Sequence, residues 1–339
     1  MNIAIVGGSG AVGQELLKIL EQRNFPFDDL KLFGSERSVG KEYNCKGKPY
    51  KVQLLKHGDD FKGINFAFVS AGSDVSKEFA DDITRFGCIM IDNSSAFRMD
   101  ENVPLVVPEV NALDAKFCPR RIVANPNCTT IQMVVALKAI DDISHIKRIY
   151  VSTYQAASGA GAAAMDELRE QCWDYILGEE VIVKKFPHQL AFNMIPQVDV
   201  FTDNGYTKEE MKLVYETHKI LNDESIAITP TAVRVPVLRS HAESIHIELE
   251  EKISADEARE ILNQADRIIV SDDPENKVYP MPVDTANHDD IFVGRIRNDL
   301  YNDKALNLWV CFDQIRKGAA TNTVQIAELL IENNWLQHK

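Results

Sequence analysis

Asn2-Ile3-Ala4-Ile5-Val6-Gly7-Gly8-Ser9-Gly10-Ala11-Val12-Gly13 opens the chain and decides its fold class. Five residues of strand character run into a glycine loop, and Leu16, Leu17, Ile19 and Leu20 then follow at helical spacing. Gly8, Gly10 and Gly13 fit the spacing G-x-G-x-x-G. Between a strand and a helix, those glycines permit a tight turn and close backbone approach. The helix N-terminus then faces a pyrophosphate.

Working outward, Leu30 to Phe33 is a short strand, followed by Gly34-Ser35-Glu36-Arg37-Ser38. A dinucleotide site reads the ribose 2′ position here. One carboxylate suits a free hydroxyl, whereas a guanidinium flanked by hydroxyls suits a 2′-phosphate. Arg37 between serines favours NADP, with Glu36 the residue that argues the other way. Residues 41–64 read as irregular strands and turns. Apolar strands follow at Asn65–Val69, Cys88–Ile91 and Ile122–Ala124, with a helix over about 73–86. This alternation predicts a doubly wound parallel sheet, whose ligands sit beyond the carboxyl ends of the strands. The glycine loop, Arg98 and Cys128 all fall just past such ends.

Asn125-Pro126-Asn127-Cys128-Thr129-Thr130 carries the chemistry. Pro126 favours a turn, Asn127 is suited to cap a helix, and Cys128 falls at that helix's N-terminus. Unpaired N–H groups and the macrodipole stabilise a thiolate there, and the same groups can hold an oxyanion. A buried structural cysteine is the alternative reading of this position taken alone.

The second half changes texture. Strands are expected at 146–154, 232–238, 244–251 and 306–312, and helices over about 162–177, from Thr207, and over about 319–335. Thr207 with Glu210 three residues on has capping-box spacing. The 244–251 strand alternates Ile245, Ile247 and Leu249 against His246, Glu248 and Glu250. In Arg234-Val235-Pro236-Val237-Leu238-Arg239-Ser240-His241, a strand bearing an arginine is expected to run to a histidine at its exposed end. His241 is therefore the candidate base for Cys128. Arg234 and Arg239 are an odd number apart, so a regular strand would face them oppositely.

Composition bounds the function. The net charge of -14 argues against non-specific nucleic-acid binding. No apolar run approaches a membrane span, and no basic or cleavable leader precedes the first strand, so a cytoplasmic protein is expected. The six cysteines show neither paired nor metal-ligand spacing. No metal is expected.

Taken together, several stretches resemble aspartate-semialdehyde dehydrogenase, in order from residue 3 to about 330. They are the glycine loop, Ser-x-Arg-Ser, Asn-Ser-Ser-Ala-Phe-Arg, Asn-Pro-Asn-Cys-Thr-Thr, Tyr-Gln-Ala-x-Ser-Gly-Ala-Gly, Glu-Glu-Met-Lys, Arg-Val-Pro-Val-x-Arg-x-His and Gly-Ala-Ala-x-Asn-x-Val-Gln-Ile-Ala-Glu. The resemblance implies a Rossmann-type α/β domain over 1–128, completed by a C-terminal helix over 318–339. It also implies an α+β catalytic and dimerisation domain of the glyceraldehyde-3-phosphate dehydrogenase-like kind over 129–317. The implied reaction is reversible NADP-dependent reductive dephosphorylation of L-aspartyl 4-phosphate to L-aspartate 4-semialdehyde, serving lysine, threonine, methionine and diaminopimelate biosynthesis. Cys128 would form the thioester and His241 would be the acid/base. Gln155, Glu209 and Arg234 would hold the amino acid, while Arg98 and Lys212 would bind inorganic phosphate or the acyl phosphate. Ser9, Gly10, Ala11, Val12, Gly13, Arg37, Ser38, Ser158, Gly159 and Asn322 would line the NADP site. A homodimer or tetramer is implied. The nearest rival is N-acetyl-gamma-glutamyl-phosphate reductase, whose substrate has no free ammonium for Glu209.

Overall fold

The computed structural model describes residues 1–335. It divides into two compact units: Met1–Asn127 with the segment from Ala319, and Cys128–Gly318.

The first unit contains β1 (Asn2–Val6), α1 (Ala11–Gln22), β2 (Asp29–Gly34), β3 (Glu42–Cys45), β4 (Lys48–Leu54), β5 (Phe66–Val69), α2 (Ser73–Thr84), β6 (Ile89–Asp92), α3 (Pro108–Asn111) and β7 (Ile122–Ala124). The sheet order is β3-β4-β2-β1-β5-β6-β7. Every pairing is parallel except β3 with β4. Strands β5, β6 and β7 are buried along their whole length, as expected of parallel strands covered on both faces. The stretch over 41–64 is more regular than its sequence suggests, because β3 and β4 form a hairpin on the sheet edge. The C-terminal helix, α9 in chain order (Thr321–Glu332), packs Val324, Ile326, Ala327 and Leu330 into the core that holds β1 and α1. A π turn over Arg316–Ala320 precedes it. The part of the expected 318–339 helix beyond residue 335 lies outside the described residues.

The second unit contains α4 (Cys128–Asp141), β8 (Ile146–Gln155), α5 (Ala162–Leu177), α6 (Lys208–Leu221), β9 (Ala227–Arg234), β10 (His241–Leu249), α7 (Ala255–Gln264), β11 (Ile268–Val270), α8 (Pro282–Thr285), β12 (Ile291–Asn298) and β13 (Ala305–Phe312). Its mixed sheet has the order β11-β12-β13-β10-β8-β9. Odd-numbered residues of β10 face inward, and the intervening Ser244, His246 and Glu248 are half-exposed. Helix α4 packs on the sheet and against α6 and α7. The capping box at Thr207 forms as its spacing predicts.

One expectation fails here. The strand carrying Arg234 begins at Ala227 and ends at Arg234, and the chain then turns through 235–240. His241 is therefore the first residue of the next strand and is fully buried, not an exposed strand end. Ser240 just before it has φ 77°, a left-handed turn that reverses the chain and voids the odd-spacing argument for Arg234 and Arg239. Arg239 instead donates through Nε to Asp313 at 2.6 Å. Among the described residues no helix is long and apolar enough to cross a membrane.

Candidate active site

In the first unit, a cavity of about 450 Å³ lies beyond the carboxyl ends of the central strands. It is lined by Gly7, Ser9, Gly10, Ser35, Arg37 and Ser70 among others. The loop is glycine-built for a physical reason. Gly7 sits at φ 90°, and a Cβ there would come within 2.2 Å of the Ser70 carbonyl oxygen. A Cβ on Gly13 would meet the Gly7 oxygen at 2.3 Å. Gly7 and Gly13 are thus the sterically obligatory pair, and Gly7 falls outside the G-x-G-x-x-G count. Ala11, Val12 and Gly13 form the first turn of α1, directly after its N-cap Gly10, which lines the cavity. Arg37 is exposed and lines the cavity, without a hydrogen bond or ion pair to any described residue. An unengaged guanidinium beside an anion-binding helix start fits a dinucleotide carrying a 2′-phosphate. Ser38 is different: it is buried and donates its hydroxyl to the Ser35 carbonyl at 2.9 Å, shaping the loop.

Two further residues of this unit brace the loop ahead of the cysteine. Asn322 is buried in α9, where its Nδ2 donates to Asn125 Oδ1 at 2.8 Å and to the Val106 carbonyl at 3.0 Å. Arg98 donates Nε to the Asn125 carbonyl and Nη2 to the Asn93 carbonyl, both at 2.9 Å. These bonds hold its guanidinium at the ends of β6 and β7.

In the second unit, Cys128 is the first residue of α4 and is half-buried. Gly318 leaves room for it, since a Cβ there would approach Cys128 Cβ to 2.8 Å. A hydrogen-bond chain runs across the site floor. Thr153 Oγ1 donates to Gln155 Oε1 at 3.1 Å, and Gln155 Nε2 donates to Glu209 Oε1 at 3.0 Å. Lys212 Nζ donates to Glu209 Oε2 at 2.9 Å and to Asp199 Oδ2 at 3.1 Å. Glu209 and Lys212 share one face of α6, as their i, i+3 spacing requires. Burial opposes the Lys212 charge, but Glu209 and Asp199 outweigh it and raise its pKa. Asp199 lies in an irregular segment that carries no sequence signal.

Arg234 is buried at the end of β9, and its Nη1 donates to the Ala156 carbonyl at 2.6 Å. Burial lowers its pKa, while Glu209 and Cys128 pull the other way. His241 accepts the Ala156 N–H on Nδ1 at 3.0 Å. An accepting Nδ1 puts the proton of the neutral ring on Nε2. Burial first, and Arg234 second, lower its pKa to about 3. Nε2 is buried without a hydrogen-bond partner among the described residues and faces Gly159, where a Cβ would sit 3.2 Å from it and 3.0 Å from Arg234 Nη1. Ser158 is buried beside Gly159 and accepts from Gln314 Nε2. Gly159 therefore keeps the space in front of Nε2 and the guanidinium open.

The second unit thus gathers a helix-start thiol, a neutral N–H donor, and a carboxylate with a guanidinium nearby. That set can bind an amino-acid zwitterion and stabilise an oxyanion on a carbonyl attacked by sulfur. In this state His241 presents a donor to the site, not the lone pair of a base.

Comparison with known proteins agrees in both units. Residues 2–116 match the semialdehyde dehydrogenase NAD binding domain, and residues 137–317 match the semialdehyde dehydrogenase dimerisation domain. The aspartate-semialdehyde dehydrogenase of Aquifex aeolicus is 55% identical over 336 residues, covering 98% of this chain and 99% of that one. That of Legionella pneumophila is 48% identical, covering 97% and 95%. The crystal structure of aspartate semialdehyde dehydrogenase II from Vibrio cholerae, complexed with ASA, superposes with a TM-score of 0.95. It has 48% identity and covers 98% of both chains. At such identity over nearly the whole length, the chain belongs to the aspartate-semialdehyde dehydrogenase family.

Proposed function

We propose that this protein carries out the NADP-dependent interconversion of L-aspartyl 4-phosphate and L-aspartate 4-semialdehyde with release or uptake of inorganic phosphate. The observation that carries the assignment of roles is the second unit's arrangement of Cys128, the Gln155–Glu209–Lys212 chain, Arg234 and a neutral His241. In the reductive direction the Cys128 thiolate, favoured at the start of α4, attacks the acyl carbon. His241 Nε2–H donates to the oxygen as it becomes negative, and phosphate leaves to the Lys212 ammonium; Arg98 is assigned to phosphate as well. The thioester remains on Cys128. Ser9 to Gly13 and Arg37 would hold NADPH, which when bound would supply the hydride for reducing it. The resulting oxyanion is again held by His241, and breakage of the C–S bond releases the aldehyde and restores the thiolate. The departing phosphate takes up one proton from solvent to leave as hydrogen phosphate, so the path consumes one proton overall, while His241 lends its Nε2–H to each oxyanion without giving it up. Arg234 holds the substrate carboxylate, and Glu209 with Gln155 holds its ammonium. The match to a dimerisation domain over 137–317 supports a homodimer, and the cytoplasm is the compartment proposed for it.

The test is phosphate-dependent reduction of NADP with aspartate semialdehyde as substrate. Turnover without phosphate, or with phosphate and no semialdehyde, refutes the assignment. Within that assay Arg37→Ala should raise the KM for NADP by roughly 10- to 100-fold, the value of a charge-assisted contact, and leave NAD nearly unchanged. Equal losses would show that the loop does not read the 2′ position.

His241 also makes a stability prediction. Its pKa is about 6.5 unfolded and about 3 folded, so the unfolded chain binds more protons between these values. Stability therefore falls as pH drops through that window. His241→Gln should flatten the acid side of a denaturant-midpoint profile; an unaltered profile would mean that His241 does not titrate on unfolding.

A further inference from the structure

Glu243 is a buried ionisable group that the reaction leaves unused. It lies on β10 two residues after His241, so both side chains face inward. It is fully buried, and neither carboxyl oxygen has a hydrogen-bond partner among the described residues. In the sheet it stands directly across from Thr153 of β8 and Val310 of β13. Helix α4 covers this row with Gln132, also fully buried, whose Nε2 donates to the Val310 carbonyl at 3.1 Å. That bond settles the amide's orientation, because a carbonyl can only accept. Gln132 Oε1 is left as a buried acceptor without a donor among the described residues.

The two unmet groups are complementary. An ionised carboxylate only accepts and has nothing to offer Gln132, whereas a carboxylic acid has one O–H to donate. We infer that Glu243 is a positioning residue which donates its carboxyl O–H to Gln132 Oε1, directly or through one water. The link would tie the strand that begins at His241 to the helix that begins at Cys128. Gln132 lies four residues after Cys128, on the same helix face, and Glu243 lies two after His241, on the same strand face. One bond at this row therefore sets the advance and rotation of α4 against β10, and with them the spacing of thiol and imidazole. The charge state agrees: desolvation alone pushes the Glu243 pKa well above the usual carboxylate range. Among the described residues no cation pairs with it. His241 beside it is neutral, Cys311 of β13 has its own thiol pushed up chiefly by burial, and Arg234 of β9 and Lys212 of α6 are engaged with Ala156 and with Glu209 and Asp199.

This inference rests on the Cys128–His241 reading, so its test includes measurements that need no substrate. Infrared difference spectra of wild type minus Glu243→Gln at pH 7 should show the carbonyl stretch of a protonated carboxylic acid. Wild type should also lose stability against Glu243→Gln as pH rises above about 4.5, tenfold in the folding constant per pH unit, because only the unfolded chain then ionises. In turnover, Glu243→Gln keeps an N–H donor and should stay within about twofold of wild type. Glu243→Leu should lower kcat about tenfold with little change in KM and slow alkylation of Cys128. Gln132→Leu should match it, and the double variant should be no worse than either single one. An absent acid band, parallel pH profiles, an unaltered kcat in Glu243→Leu or additive losses would each overturn the inference. If the leucine variants do not fold, the infrared and pH–stability measurements decide alone. Turnover by Cys128→Ser would instead sink the thioester reading and leave the Glu243 spectrum untouched.

Discussion

Cys128→Ser is expected to abolish turnover, by on the order of 10⁴-fold or more in kcat, with NADP binding unchanged. The reason is chemical before it is structural. A thiol at a helix N-terminus is readily held as a thiolate, while a serine hydroxyl keeps its proton unless a base removes it. His241 offers no such base, since its Nδ1 is occupied by the Ala156 N–H and its Nε2 carries the proton. Serine is also a poor leaving group when the carbon–heteroatom bond must break to release the aldehyde. The nearly isosteric hydroxyl fits beside Gly318, so the fold should be retained. The checks are steady-state rates, a pre-steady-state burst of thioester formation and fluorescence titration with NADPH. A variant with more than a hundredth of wild-type turnover would remove Cys128 from the mechanism.

Arg234→Ala should raise the KM for the semialdehyde about 100-fold, near 3 kcal/mol, the scale of a buried charge-assisted contact. Arg234→Lys should not rescue it, because an ammonium cannot reproduce the planar fork. The same change removes one of the influences that hold His241 neutral, so the pH dependence should shift as well. Lys212→Ala should raise the KM for phosphate. The structure makes this variant less clean than its sequence position suggests. Lys212 is bonded to Glu209, so its loss also leaves the Glu209 Oε2 without that donor. A several-fold rise in the semialdehyde KM should accompany the phosphate effect. Arg234→Ala has no corresponding route to phosphate, and its phosphate KM should stay within about twofold. If both variants move both constants equally, the residues act as one undifferentiated positive field.

Much of this was legible in the residues alone, because it rests on local rules. The parallel sheet follows from fully apolar runs such as Phe66 to Val69, and the glycine loop from strand–turn–helix order. The Thr207–Glu210 box and the Glu209–Lys212 pair follow from helical spacing. What sequence could not determine depends on partners remote along the chain. The boundary between β9 and β10 rests on the left-handed turn at Ser240 and its bonds to Gln314 and Phe312. Strand propensity alone ran through that turn and put His241 at an exposed end. Only the fold buries His241, supplies the Ala156 N–H that fixes its tautomer, and so turns an expected base into a donor. Only the fold brings Asp199 to Lys212 and makes Gly7 obligatory through the oxygen of Ser70. Glu243 lies between these cases. The alternation Ile245, Ile247, Leu249, carried back two steps, already puts residue 243 on the apolar face. That its two oxygens find no partner among the described residues, with Gln132 on the helix that covers this row, is a property of three-dimensional neighbours, and local spacing carries no information about it.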